Sequence, residues 1–102
     1  MSERSRNPDP PPELVREIEA LLEERLGRFG LERVEVRAGL DHAGEPAIFV
    51  DAWYRLSEEP IDPEALAEAH RALVDLLVER NDERFPYVRD HFDKKQRVRG
   101  FD

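Results

Sequence analysis

Two apolar runs of period two lie back to back in this chain, and they limit what it can fold into. Val34, Val36, Ala38 and Leu40 alternate with Arg33, Glu35, Arg37 and Gly39. Ile48, Val50, Ala52, Tyr54 and Leu56 alternate with Phe49, Asp51, Trp53 and Arg55. Such alternation marks a strand with one buried face. Between the runs, Asp41-His42-Ala43-Gly44-Glu45-Pro46 is turn chemistry. Residues 31–40 and 47–56 are therefore read as a β-hairpin.

The register of the hairpin is constrained as well. Antiparallel partners point to the same side, so the two apolar faces must coincide. One register that satisfies this pairs Val34 with Tyr54, Val36 with Ala52 and Ala38 with Val50, and sets Arg37 opposite Asp51. A slip of two residues sets Glu35 opposite Asp51, where like charges repel. The first register is the expectation.

Helical periodicity flanks the hairpin. From Glu13 to Phe29, residues Leu14, Ile18, Leu21, Leu22, Leu26 and Phe29 share one arc, and Gly30 is a natural stop. Residues 62–81 read as a second helix. Asp62 is its N-cap and Pro63 its first residue, while Ile61 and Leu66 hold the hydrophobic-staple positions. Its apolar arc (Leu66, Ala69, Leu73, Val74, Leu76, Leu77, with Ala67 and Val78 at one edge) is wider than a hairpin alone covers. Pro86 suggests a short third helix over 86–95, anchored by Phe85, Tyr87, Val88 and Phe92. Residues 1–12, ending in Pro8-Asp9-Pro10-Pro11-Pro12, read as a flexible lead-in to one domain spanning 13–102.

The expected class is α+β, in the order α-β-β-α with a short C-terminal helix and the hairpin packed on two helices. A lone two-stranded sheet is marginal in water. Phe49 and Trp53 would lie on its outer face beside Arg33, Glu35, Arg37, Asp51 and Arg55, so that face wants a cover. Either the C-terminal segment or another chain supplies it, and a homodimer is the expectation, through a four-stranded sheet or a face-to-face contact.

Composition narrows the function classes. The chain has 102 residues, 16 of them basic and 24 acidic, for a net charge of −8. It contains no cysteine, which excludes disulfides, thiol nucleophiles and thiolate metal sites. No apolar run approaches the ~20 residues of a membrane span, and Met1 to Asn7 has no apolar leader core. A cytoplasmic, bacterial-type protein is expected, with no cofactor and no metal. Residues 1–83 carry 10 basic and 21 acidic side chains, a net of −11; residues 84–102 carry 6 and 3, a net of +3. The acidic body makes nucleic acid an improbable partner. All basic residues but Lys94 and Lys95 are arginine. A GC-rich genome, adaptation to high salt and matching to a basic partner each account for that balance.

The candidate sites each have a plain reading beside a functional one. His42, between Asp41 and Glu45, belongs to a polar hairpin tip or to an acid–base or metal site. His70 falls inside the apolar arc of the second helix. It is either a satisfied core histidine or a pH-sensitive interface residue. Lys94, Lys95, Arg97 and Arg99 are candidate phosphate contacts, or simply complete a helix C-terminus. No serine-, histidine- or glycine-based catalytic motif is present.

Two functions from different classes follow. The first is a non-catalytic protein–protein interaction module (antitoxin-, inhibitor- or adaptor-like), a homodimer or bound to a partner chain. Its contact face would be Arg37, Phe49, Trp53 and Arg55. The second is a small metal-dependent hydrolase or nuclease using Asp41, His42, Asp90 and His91, with the basic C-terminal segment holding phosphate.

Overall fold

The computed structural model describes residues 8–100. Helix α1 spans Pro12–Leu26 and tightens into a 3-10 turn over Gly27–Phe29. Strands β1 (Leu31–Leu40) and β2 (Pro46–Tyr54) follow, then helix α2 (Pro63–Glu79) and strand β3 (Phe85–His91). The order is α-β-β-α-β. Both helices lie on one side of a three-stranded mixed sheet of order β1-β2-β3.

Both helices start and stop for local reasons. Pro12 opens α1 at its first position, where a missing N–H costs nothing. The lead-in read as 1–12 thus ends at Pro11, and its first seven residues lie outside the described part. The Pro8 carbonyl accepts a hydrogen bond from Arg84 Nη1 at 2.6 Å. Gly30 ends the 3-10 turn in the left-handed region, at φ 97°. A Cβ there would also stand 2.3 Å from the Arg55 carbonyl oxygen, which accepts no such approach. In α2 the Asp62 carboxylate accepts from the Glu64 amide at 3.1 Å. Arg80 and Asn81 close its far end, with Asn81 at φ 59°.

The core sits between the helices and β2. Leu14, Ile18, Leu22, Leu26 and Phe29 of the first helical unit meet Ala69, Leu73 and Leu77 of α2 over Ile48, Val50, Ala52 and Tyr54. Leu56, expected on that face, lies beyond the end of β2 and is half exposed. Val34, Val36 and Ala38 of β1 are only half-buried, and Leu40 is 57% exposed.

Two expectations are corrected. Residues 86–95 form no helix; Phe85–His91 is a strand that pairs parallel with β2, from Ala47–Phe85 to Trp53–His91. The wide apolar arc of α2 packs on α1 as well as on β3, while Ala67 and Val78 at its edge stay exposed. Pro86 lies buried near the start of this edge strand, a place where a missing N–H is tolerated. The hairpin register is the other one: Val34 faces Ala52, Val36 faces Val50, and Glu35 faces Asp51. The apolar faces coincide as argued, but the repulsion does not decide the step. Asp51 is neutralised from the β3 side, and Glu35 by Arg33.

Leu73 is fully buried at the junction of both helices and the sheet. Leu73→Ala should cost about 2–5 kcal/mol in urea unfolding. Gly30→Ala should destabilise through backbone strain and the Arg55 contact, with helix content retained at low denaturant.

Candidate functional site

With β3 in place, the outer sheet face carries three rows of side chains. Arg33, Trp53 and His91 stand side by side across the strands. So do Glu35, Asp51 and Arg89, and so do Arg37, Phe49 and Tyr87. The helices cover the opposite face, so among the described residues no layer lies on this one.

The two outer rows are stacks. The Arg33 guanidinium lies 3.7 Å from the Trp53 ring centroid, and His91 stacks on the other flank at 4.9 Å with planes 14° apart. Arg37 lies 4.9 Å from the Phe49 centroid, and Tyr87 stacks on Phe49 at 5.6 Å. Phe85 meets Tyr87 edge-on at 5.0 Å. Because the stacks run from strand to strand, ring faces look at one another and ring edges point outward. Such pairs hold aromatic residues rigid on an open surface.

The middle row is electrostatic. Asp51 is 8% exposed, although it points to the uncovered side. Its Oδ1 lies 2.9 Å from His91 Nε2 and 3.3 Å from Arg89 Nε. A carboxylate this covered needs such partners. They also tie the middle row to the Trp53–His91 stack.

Of the expected contact residues, Arg37, Phe49 and Trp53 share this face, and Arg55 continues its alternation just past β2. Arg33, Tyr87, Arg89 and His91 join them. The last three could be placed only once residues 85–91 were known to be a strand. Arg33, Arg37, Arg55 and Arg89 outnumber Glu35 and Asp51 here. The acidic excess lies elsewhere, much of it on α1 (Glu13, Glu17, Glu19, Glu23, Glu24) and α2 (Glu64, Glu68, Asp75, Glu79).

The other candidate residues are dispersed. Asp41 shapes the hairpin tip: its Oδ1 accepts the Ala43 and Glu45 amides at 2.9 Å, and its Oδ2 accepts the Tyr87 hydroxyl at 3.0 Å. The Glu45 amide foremost, then Tyr87 and Ala43, hold its carboxyl below the usual range. His42 is exposed beside it. His91 lies four residues along β3 from Tyr87, about 13 Å away, and Asp90 points to the inner side. Asp41, His42, Asp90 and His91 therefore do not converge within one chain. Among the described residues no three or more histidines and carboxylates are grouped to hold a metal.

Asp90 belongs to a second cluster, between α2 and the sheet. It accepts the Tyr54 hydroxyl at 2.9 Å, and its other oxygen lies 3.2 Å from His70 Nε2. His70 is thus half-buried with a carboxylate partner, within the arc of α2 as expected. The basic segment packs along residues 57–62. Ile61 N donates to the Arg97 carbonyl at 2.8 Å, and Gln96 accepts from Ser57 N at 2.8 Å. Lys94, Lys95 and Arg97 remain exposed, and Arg99 reaches to within 4.0 Å of Asp62. The helix dipole reading of these residues lapses with the helix. No helix among the described residues is long and apolar enough to cross a membrane. Comparison of the chain with family models, with curated proteins and with solved structures returned no match.

Burial, and then the Asp90 carboxylate, push the Tyr54 hydroxyl far above its ordinary pKa of 10.0. In the unfolded chain Tyr54 ionises near that value, while in the folded chain it stays protonated. Stability should therefore fall as pH rises above 10. Tyr54→Phe should cost about 1 kcal/mol at neutral pH and make thermal melting less sensitive to alkali.

Proposed function

We propose that this chain is a non-catalytic protein–protein interaction module whose open sheet face docks on a partner chain. The observation that carries the reading is the set of stacked rings and arginines on a sheet face that no other described residues cover. Aromatic and arginine side chains dominate binding energy where protein surfaces meet. Pre-stacking reduces the side-chain entropy lost on docking.

The partner's chemistry follows from the charges left over. Arg33 is engaged by Glu35, and Arg89 by Asp51. Arg37 and Arg55 have no carboxylate within bridging distance among the described residues. Arg37 stands opposite Phe49, and Arg55 lies six residues on from Phe49, about 20 Å along the strand direction. A matching surface presents carboxylates at both ends of an apolar centre. The geometry favours protein over nucleic acid. A base stacks on a ring face, and both faces of Trp53 are already taken by Arg33 and His91.

The test is co-purification of the tagged full chain from its native cells, beside Trp53→Ala and Arg37→Glu/Arg55→Glu variants. A stoichiometric partner should be retained by the parent chain and lost from both variants. Measured with that purified partner, Trp53→Ala should weaken binding by about 2 kcal/mol, roughly 30-fold. A partner held equally by all three chains, or no partner in any, would overturn the reading.

A further inference from the structure

We propose that strand β1 pairs antiparallel with β1 of a second copy, about a two-fold axis through Val36, to form one continuous six-stranded sheet. The inference goes beyond partner docking and does not rest on it, because it is carried by the edge of β1, although Arg37 of the outer face takes part in both.

The two edges of the sheet differ. β1 is ten residues long and has no strand on its outer side among the described residues. Its inward apolar residues are the poorly covered ones, since Val34, Val36 and Ala38 stay half-buried and Leu40 is 57% exposed. On β2 the corresponding Ile48, Val50 and Ala52 are fully buried. A long, half-covered edge is a template for another strand. β3 is the poorer edge for self-pairing. Pro86 lacks an N–H, and the outer-face residues Phe85, Tyr87, Arg89 and His91 include no acid to meet Arg89 of another copy.

The charges on β1 select the register. Its outer-face residues alternate in sign: Arg33, Glu35, Arg37. Coincident apolar faces allow an axis through any residue but none between two residues. An axis through Glu35 opposes Glu35 to itself and Arg33 to Arg37, which is repulsive throughout. An axis through Val34 sets Arg33 opposite Glu35, but those two are already paired within the chain. It also brings together the ends of β1 where Glu19 and Glu23 of α1 lie beside Leu31 to Val34. An axis through Val36 sets Glu35 opposite the second copy's Arg37, twice by symmetry. That supplies Arg37 with the carboxylate it lacks. Val36 then meets its own counterpart, and Val34 meets Ala38. The contact is isologous, so it closes as a dimer.

The test uses the purified full chain alone, in sedimentation equilibrium across the micromolar range. A species of twice 11.9 kDa is expected. Glu35→Arg should raise the dissociation constant about tenfold or more, and Glu35→Arg/Arg37→Glu should restore it. The chain has no cysteine, so a single thiol reports the axis. Val36→Cys should oxidise to a disulfide-linked dimer, while Val34→Cys under the same conditions should not. A monomer throughout, a charge swap that fails to restore a folded dimer, or faster coupling at position 34 would overturn the proposal. Docking on the outer face is read separately on Trp53→Ala, which leaves the edge of β1 unchanged.

Discussion

The parallel pairing of β3 with β2 is the interaction on which the rest of this structure depends. It turns a marginal hairpin into a three-stranded sheet and makes β2 a central strand. It also gives α2 a strand to pack on beside α1. Through it Asp51, otherwise a carboxylate in a covered position facing Glu35, gains His91 and Arg89. The same pairing sets Tyr87 on Phe49 and His91 on Trp53. Remove β3, and the outer face loses three of its five rings and the charge balance at its centre.

The two sides of the sheet divide the work. The inner side holds the core, with Tyr54, Asp90 and His70 as a polar chain at its margin. The outer side displays arginines and ring edges. The net charge of −8 conceals this division. Nine acidic residues lie on the helices, away from the face on which basic residues prevail. The two sides therefore present different chemistry, and charge as well as shape would orient the proposed docking.

Much of the fold was legible in the residues. Both helices follow from their periodicity and from Pro12, Gly30, Asp62 and Pro63. The hairpin follows from its alternation, and so does the sharing of one face by Arg37, Phe49 and Trp53. What escaped is non-local. Pro86 suits a helix start as well as an edge strand, and seven residues with one proline give too short a pattern to decide. The hairpin register turned on Asp51, whose side-chain partners Arg89 and His91 lie 38 and 40 residues further along the chain. A carboxylate flanked by Val50 and Ala52 in a strand was itself a signal that a cation had to arrive from elsewhere.

The most direct test of this account is the nuclear Overhauser contacts of residues 85–91 in the full chain. The account predicts ring contacts between Phe49 and Tyr87 and between Trp53 and His91. It also predicts Val50–Val88 contacts from the inner face and slow amide exchange within β3. Sequential amide–amide contacts over 86–95, with none of those ring contacts, would show a helix there and contradict the sheet, its outer face and the function argued from it.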